Sequence, residues 1–558
     1  MWVLALMPRS IQKMLDTRRG RIFIENLTAY LFIFPAMAII FIFGIFPVGF
    51  AFFVSLHDWR RFPEAYLGID NYVRALGSFG YVLIFWLAII AFIYAGVMLW
   101  KLWQRRDAER RNWLLILPGA ANAAAIAAFI NWFFIAYLKV LEVPQRLPRT
   151  ELRSRSKFID EFLNSFTFPE VEQAANWMLL AAVIAIVLSV WLMRRVRTRD
   201  NASFLTQFTG IAFVVIAGAW LLRSMLMAID TAITAAQAAG EELPVWSYII
   251  FISGGVLLLW VAFRVWQMAI DADEDRRFIL YLLVGLFLLT GAYLLIVYIP
   301  EALTEADDDL MQGFWVTVLY VLGTVPVQLG AGLGLAYLLF YITSGKAVFR
   351  IIYFLPYITP FAATAVVFSL LFSNRPEGPA NRVLSFLGIE TQSWLLEPTP
   401  INELIFGRDL PQLLEGPGLA LVVIMIWSAW TYIGYDIVIF MAGLGNISTE
   451  YYEAAQIDGA SGWRIFRHIT LPLLSPTTFF LSLLAIIGTF QAFTQIWIMR
   501  RPASDDAVDT VGVYLYETIS TNIPRYGYGS AMAFVLFGVV LLMTLFQNRI
   551  LGRKVFYG

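Results

Sequence analysis

Long apolar runs separated by short polar segments extend along the whole chain. A membrane-spanning helix needs about 20 mainly apolar residues. The pattern predicts spans at roughly 28–56, 81–100, 113–138, 177–193, 206–229, 246–269, 278–299, 314–342, 349–373, 418–444, 476–499 and 529–548. The expected fold class is therefore all-α: a polytopic transmembrane helical bundle of about 12 spans.

The loops between these spans predict an orientation. Lys and Arg favour the cytoplasmic side of a membrane, and placing the N-terminus inside gives 24 basic residues within and 15 outside. We therefore expect both termini to be cytoplasmic. The Arg-rich start precedes an apolar run too long for the core of a signal peptide, so we expect an uncleaved first span.

Composition agrees with a membrane protein and narrows its chemistry. Of the 558 residues, 60% are hydrophobic and 14% charged, whereas soluble domains carry about 25% charged residues. Basic and acidic residues balance at 40 each, so net charge indicates no polyanionic partner and no nucleic acid. There is no Cys, and His57 and His468 are too few for a typical metal cluster, so we expect no metal or cofactor.

A mostly polar stretch at 450–472 interrupts the apolar pattern between two spans. Ser448 or Thr449 can cap a first short helix, and Gly459 can end it in a left-handed conformation. Ser461 can cap a second helix, which Pro472 would close. The charge count places this segment on the cytoplasmic side, and it looks like a docking element for another protein.

The residues of this stretch resemble a known motif. They match, at the same spacing, the EAA loop of ATP-binding-cassette importer permeases at Glu453, Ala454, Ala455, Gly459, Ile469, Leu471 and Pro472. Four further stretches resemble the carbohydrate-uptake branch, the maltose-permease-like subunits: 66–72, 313–339, 378–395 and 434–444. The chain is therefore similar to a permease subunit of a carbohydrate importer in a bacterial or archaeal cytoplasmic (inner) membrane.

The resemblance also divides the chain. It implies an N-terminal tail, first span and outer loop at 1–78, and a permease core at 309–558 with its coupling loop at 445–475. Residues 79–308 have no counterpart and hold six predicted spans, an even number that leaves the orientation of the core unchanged. We expect this insertion to pack around the core, with a lipid, regulatory or partner-binding role as the alternative.

The family implies partners that this chain lacks. No P-loop is present, since the segment 344–347 has neither the upstream Gly nor the following Ser or Thr. ATP and Mg would therefore lie on partner ATPase subunits that grip the EAA helices, and the chain itself is not expected to be an enzyme. The resemblance further implies a second homologous permease, an external solute-binding protein and surrounding membrane lipid.

Polar residues inside the predicted spans are candidates for the substrate path. Ser428, Tyr432, Tyr435 and Asp436 can share one helix face, and the resemblance adds Thr489, Gln491 and Thr494 from the next helix. Rings that stack on sugar faces, with carboxylate and amide groups for the hydroxyls, suit a carbohydrate cavity. Ordinary packing and interhelical hydrogen bonding are the competing interpretation.

Other functions stay open from sequence. The same importer could carry a non-sugar solute such as a polyamine or a phosphate ester. An ion-coupled carrier suits twelve spans, but such carriers place several ionisable groups and internal repeats near the midplane. A membrane-embedded enzyme or scaffold would need a catalytic cluster in the insertion, and none is found. The resemblance also does not define the contacts of the outer gate, because Arg500-Arg501-Pro502 replaces the Gly-Gly-Pro turn frequent in the family.

Overall fold

A computed structural model describes residues 18–104, 110–148, 154–196, 201–270, 273–341, 345–407, 416–552 and 555. The N-terminal part begins with α1 (Arg18–Ile40), a π-helical turn (Phe41–Ile45) and α2 (Phe46–Ser55). A short antiparallel hairpin of β1 (His57–Trp59) and β2 (Pro63–Tyr66) follows, and then α3 (Asp70–Leu76). The π turn does not interrupt the span, so residues 25–55 form one helical rod of 31 residues.

The described part of the predicted insertion, residues 79–308, is helical. Its elements are α4 (Phe79–Trp103), a 3₁₀-helix (Arg110–Leu115), α5 (Ile116–Leu141), α6 (Val143–Arg146), α7 (Arg155–Asn164), α8 (Pro169–Val196), α9 (Asn201–Ala239), α10 (Val245–Ile270) and α11 (Glu274–Ala302). These helices pack mainly on one another: α10 on α11, α5 on α8, and α9 on α4 and α5. The segment between the predicted spans 206–229 and 246–269 is shorter than expected, because α9 continues through Ala239.

The C-terminal part of the chain begins at Asp308 and is helical. Its helices are α12 (Asp308–Tyr341), α13 (Lys346–Ile358), α14 (Phe361–Leu371), α15 (Pro379–Phe386), α16 (Ile401–Phe406), α17 (Leu419–Gly445), α18 (Thr449–Ile457), α19 (Gly462–Ile465), α20 (Leu471–Leu473), α21 (Ser475–Phe490), α22 (Thr494–Met499), α23 (Asp505–Val508), α24 (Val511–Ser520) and α25 (Tyr526–Ile550). A 3₁₀-helix spans Trp394–Leu396, and a π-helical turn spans Phe466–Thr470.

The helical fold class is confirmed, and the span count agrees with the prediction. Ten helices among the described residues are long and apolar enough to cross a membrane, or twelve if each of two bent pairs is one span. Two predicted spans are wrong as single rods. Residues 349–373 are α13 and α14, bent by 96° at the Thr359–Pro360 junction, and 476–499 is interrupted between Phe490 and Thr494.

Helix α17 is the centre of the core. It packs against α12 and α13, and Trp427 and Phe440 on α17 are fully buried. Gly434 allows α13 to approach, since a Cβ at this position would overlap the backbone carbonyl of Tyr353. Leu474 lies near the end of the predicted coupling loop (445–475, the coupling segment), just before α21, and is buried in the same cluster as Phe440. The polar segment after α17 is therefore anchored to the helices of the core.

The two ends of the predicted insertion lie close together. A Cβ on Gly77 would lie 2.8 Å from the carbonyl oxygen of Ala302 and 2.9 Å from the amide nitrogen of Ala306. Asp307, just after this junction, accepts hydrogen bonds from the hydroxyls of Tyr514 (2.9 Å) and Tyr528 (2.6 Å). Helix α25 also packs on α2, where Phe52 and Phe534 meet edge to face with ring centres 5.6 Å apart.

Candidate functional site

A cavity of about 190 Å³ lies between α12, α13, α17 and α21. It is lined by Tyr320, Thr324, Gln328, Tyr357, Ser428, Tyr432, Tyr435, Asp436, Leu481, Leu484, Ala485, Gly488, Thr489 and Gln495. Ten of these fourteen side chains carry a polar atom, although the surrounding helices are apolar. Polar side chains inside a transmembrane bundle are costly and usually functional, so this cavity is the candidate site.

A hydrogen-bond network closes one part of the cavity. The hydroxyl of Tyr320 is hydrogen-bonded to the hydroxyl of Ser428, and the amide of Gln495 donates to Tyr320 at 3.1 Å. These residues come from α12, α17 and α22, and all three are buried. The network therefore fixes the relative positions of three core elements at the wall of the cavity.

Other polar groups at the cavity have no protein partner. The Oδ2 of Asp436, the Oγ1 of Thr324 and the Oε1 of Gln328 are buried without a hydrogen bond to any described residue. Leaving such atoms unpaired in an apolar environment costs free energy. A hydroxyl-rich molecule or water in the cavity would satisfy all three.

Aromatic rings form another part of the wall. Tyr357 and Tyr435 stack with ring centres 5.1 Å apart, and Tyr357 meets Tyr432 at 6.0 Å. Phe361 on α14 extends this cluster, 5.8 Å from Tyr432. The cavity thus combines ring faces with hydroxyl, amide and carboxylate groups.

The structure brings together five of the seven residues proposed for the substrate path. Ser428, Tyr432, Tyr435, Asp436 and Thr489 all line the cavity. Gln491 and Thr494 do not line it and are exposed. Helix α21 ends at Phe490 and α22 starts at Thr494, so the helical spacing that points from Thr489 to these two residues is broken.

Sequence reasoning missed five polar members of the wall: Tyr320, Thr324, Gln328, Tyr357 and Gln495. The first three follow one another at intervals of four residues on α12, which places them on one helix face. That spacing is a usable signal. Tyr357 and Gln495 enter the cavity because of the breaks after α13 and before α22, which no periodicity reveals.

The first helix of the coupling segment is α18, and both ends of this helix form as predicted. Ser448 is the N-cap and its hydroxyl accepts a hydrogen bond from the Glu450 amide at 3.4 Å. Gly459 adopts φ +73° and ends the helix. The amides of Ala460 and Gly459 bond to the carbonyls of Ala455 (2.9 Å) and Gln456 (3.0 Å), which is a Schellman motif.

The second half of the segment differs from the prediction. Ser461 lies at the N-cap of α19 but makes no side-chain capping bond. Pro472 does not close the helix: the chain continues from α19 through a π-helical turn that contains Ile469 into α20, which contains Leu471 and Pro472. The break comes one residue later than α20, at Leu474, where the chain bends by 64° into α21.

The surface of the segment is unusual for a polar loop. Glu453 and Ala454 are exposed, and Ala455 is partly buried. Two large apolar side chains, Ile457 and Trp463, are 86% and 68% exposed. The buried side is tied to the core, because Phe466 packs on Tyr337 of α12 with ring centres 4.7 Å apart. The segment therefore presents an apolar outer face on a base fixed to the helices around the cavity.

The sequence Arg500-Arg501-Pro502 lies in a loop whose conformation is held by ion pairs. Arg500 Nη2 is 2.7 Å from Asp509 and 3.6 Å from Asp505, and its Nη1 pairs with Glu517. Burial raises the pKa of Asp509 to about 7, against the opposing effect of the Arg500 guanidinium. One arginine thus gathers three carboxylates and shapes the loop between α22 and α24.

Comparison with solved structures found transporter chains. A chain of the bacterial alginate ABC transporter in complex with alginate pentasaccharide-bound periplasmic protein is 19% identical, with a TM-score of 0.40, and the match covers 51% of this chain and 98% of that one.

Sequence comparisons identify the family. Residues 328–556 match the model described as "Binding-protein-dependent transport system inner membrane component". The chain is 33% identical over 243 residues to the probable ABC transporter permease protein YesP of Bacillus subtilis, which covers 43% of this chain and 71% of YesP. It is 31% identical over 255 residues to the arabinooligosaccharides transport system permease protein AraP of the same organism, covering 45% of this chain and 72% of AraP. The lactose transport system permease protein LacF of Rhizobium radiobacter is 27% identical over 249 residues, covering 43% of this chain and 76% of LacF. The chain belongs to the family of ABC transporter permeases of binding-protein-dependent transport systems.

Proposed function

We propose that this permease forms the translocation pathway for a carbohydrate in an ATP-driven importer. The observation that carries the proposal is the cavity between α12, α13, α17 and α21, whose wall combines tyrosine rings with unpaired hydroxyl, amide and carboxylate oxygens. Ring faces stack on the apolar faces of a sugar, and the oxygens accept hydrogen bonds from its hydroxyls. The names of AraP and LacF, which specify arabinooligosaccharides and lactose, support the same class of substrate.

The size of the cavity implies that it must open during transport. Ligand sites usually occupy about 300–1,000 Å³, and this cavity has about 190 Å³. In the proposed mechanism, closure of partner ATPases on the coupling segment moves α18 to α20 as a lever. Because Leu474 and Phe466 are packed into the core, that movement reaches α12, α17 and α21 and widens the cavity towards one side at a time.

The coupling roles follow from the positions of the motif residues. Glu453 would contact a charged or polar group of the ATPase, and the small Ala454 and Ala455 would allow close approach. Gly459 sets the turn, and Ile469, Leu471 and Pro472 connect the docked helix to α21. The exposed Ile457 and Trp463 would be covered by the partner.

The complete importer would contain several chains. We propose a second homologous permease, ATPase subunits that hold ATP and Mg, and an external solute-binding protein, in the cytoplasmic (inner) membrane of a prokaryote. The description of the family as binding-protein-dependent supports the solute-binding partner. The termini and the coupling segment would face the cytoplasm, as the distribution of basic residues predicts.

A test uses the turn at Gly459. Val at this position would strain a backbone held at φ +73° by roughly 1–3 kcal/mol and displace α18 from its position on the core. We expect Gly459→Val to abolish binding-protein-dependent uptake in proteoliposomes that contain the complete importer, while the variant still inserts and purifies with its partner permease. The matched control is Gly462→Val, in the same segment with an ordinary φ and open space around it. Normal ATP-dependent uptake by Gly459→Val would overturn the coupling role.

The cavity also discriminates between substrate classes. Among the described residues that line it there is no Lys or Arg, and Asp436 is its one acidic residue. A phosphate ester would meet no positive charge there, so the geometry disfavours that alternative. Calorimetry on the cognate solute-binding protein with a panel of sugars, polyamines and phosphate esters would decide, and tight binding of a polyamine alone would overturn the carbohydrate assignment.

A further inference from the structure

A cleft at the ends of two helices lies between the inserted region and the core. Trp260, Phe263, Arg264 and Gln267 of α10 line one wall, and Arg549 of α25 lines the other. The cleft has a volume of about 470 Å³. Helices α10 and α25 thus face each other across open space here, whereas α10 packs closely on its neighbour α11.

Two positive charges line this cleft without a protein counter-charge. The guanidinium of Arg264 lies over the Trp260 ring, 5.7 Å from its centre. Arg264 and Arg549 are exposed, and within the described parts of the chain neither has an ion pair or a side-chain hydrogen bond. Guanidinium groups bind phosphate oxygens through paired hydrogen bonds. The cleft is therefore complementary to an anionic group.

The cleft adjoins a shallow apolar groove on one face of α25. Arg549 borders this groove as well, and its other lining side chains all belong to the same helix: Leu542, Met543, Leu545, Phe546 and Ile550. Leu545 and Phe546 are 55% and 66% exposed. One arginine thus belongs to both a charged cleft and a hydrocarbon surface. A free anion would leave the groove unused, while an anionic lipid would occupy both.

The depth of the cleft fits a lipid headgroup. Arg549 is next to the end of α25, and Arg264 lies six residues before the end of α10, about 9 Å along the helix. Arginine side chains of this length reach the membrane interface, and Trp260 and nearby Trp266 are of the residue type enriched at that level. The acyl chains of a lipid would then extend along α25 towards the middle of the membrane.

We propose that this cleft binds an anionic phospholipid, with its phosphate between Arg264 and Arg549 and an acyl chain in the groove along α25. The bound lipid fills the space between α10 and α25 and so joins the inserted helices to the permease core. This site is separate from the substrate cavity, and it does not depend on which solute the importer carries.

The test compares lipid retention by purified protein. Native mass spectrometry and thermal unfolding would be measured for the full chain in detergent with added phosphatidylglycerol or phosphatidylcholine. Each basic residue near a membrane surface contributes about fivefold to the affinity for anionic lipid. We therefore expect Arg264→Gln and Arg549→Gln each to weaken phosphatidylglycerol binding about fivefold, with a larger loss in the double variant. Phosphatidylglycerol should raise the unfolding temperature of the unmodified protein more than that of the double variant.

The chain offers a matched control for this experiment. Arg195 lies over Trp191, 4.9 Å from the ring centre, with the same four-residue spacing as Arg264 and Trp260, but it does not border the cleft. The double variant Arg195→Gln, Lys101→Gln removes two exposed charges near other helix ends and should keep full binding. Gel filtration checks that each variant is folded, and the single variants replace the double one if it aggregates.

Four outcomes would overturn the proposal. Equal binding of phosphatidylglycerol by the double variant and the unmodified protein would exclude the two arginines. Retention of phosphatidylcholine equal to that of phosphatidylglycerol would show that the cleft holds boundary lipid without selecting its charge. Displacement of the lipid by excess inorganic phosphate would identify a simple anion site, and dimerisation that needs both arginines would identify a protein occupant.

Discussion

Asp436 places a carboxylate in the wall of a cavity enclosed by apolar helices. It is 2% exposed, its Oδ2 has no partner among the described residues, and Gly332 of α12 opposes it, since a Cβ there would lie 2.8 Å from the Asp436 Cβ. An unpaired buried oxygen is not by itself a sign of substrate, because Thr431 Oγ1 on the same helix is also buried and unpaired. Asp436 differs from Thr431 in lining the cavity, and this position is the basis for proposing that it contacts substrate.

Replacement of Asp436 should impair transport more than folding. Hydrogen bonds to charged groups contribute about 1.5–3 kcal/mol, so we expect Asp436→Leu to lower binding-protein-dependent uptake by at least about tenfold and Asp436→Asn to lower it less. Initial uptake rates in proteoliposomes measure both. Thr431→Val is the control, because Thr431 is equally buried and unpartnered on α17 but does not line the cavity. An equal loss in this control would assign the effect to helix packing.

For single residues, the sequence correctly identifies members of the cavity wall when they share one uninterrupted helix. Ser428, Tyr432, Tyr435 and Asp436 were expected on one face of α17, and all four line the cavity. Gln491 was predicted and Gln495 was not, because the chain leaves helical geometry between them. A four-residue spacing has meaning only while the helix continues.

Breaks in helices decide the shape of the core at the scale of elements. Thr359 adopts the extended conformation (φ −70°, ψ 140°) that a following proline favours, and α13 and α14 diverge there by 96°. Pro356, four residues before Pro360, lies inside α13 without ending it. Counting apolar residues therefore predicts a membrane span here but not its bend. A proline can either be accommodated inside a helix or lie where the helix ends and the chain turns.

The loop around Arg500 should respond to pH. The pKa of Asp509 is raised by burial from 3.8 to about 7, so its contribution to stability is complete below about pH 4 and is lost as the pH rises through 7. We expect the unfolding temperature of the unmodified protein to fall relative to that of Asp509→Asn between pH 5 and 7, and the difference to level off above pH 7.

Thermal unfolding in detergent across this pH range measures the effect. Asp505→Asn is the comparison, because Asp505 lies 3.6 Å from Arg500 and is more exposed than Asp509. A difference that stays constant or reverses with pH would mean that attraction to Arg500 outweighs the burial of Asp509.

For the whole molecule, the division into a core and an insertion came from resemblance and not from hydropathy. Apolar runs have the same character in 79–308 and in 309–558, so the pattern alone contains no boundary. The contacts of Gly77 with Ala302 and Ala306 are consistent with the proposed division, since a region whose ends meet disturbs its surroundings least. The boundary itself remains a prediction.

The orientation of the whole chain can be tested directly because the chain has no cysteine. Single substitutions Ile457→Cys and Ile523→Cys place thiols at side chains that are 86% and 65% exposed. In cells that make the chain without its proposed ATPase partner, we expect a membrane-impermeant maleimide to label position 523 in intact spheroplasts and position 457 only after the membrane is opened. Labelling of both positions from the same side would contradict the predicted topology.

The contact between Phe52 and Phe534 has a consequence for biosynthesis. Ribosomes add about 5–20 residues per second, so the first of these rings waits roughly 25–100 s for the second to be made. During that interval the helices of 79–308, whose contacts are mostly with one another, can complete their own assembly. The apolar surface of α2 that α25 later covers must meanwhile be shielded by lipid or by an insertion factor, which makes this interval the period when the nascent permease is most exposed to misassembly and proteolysis.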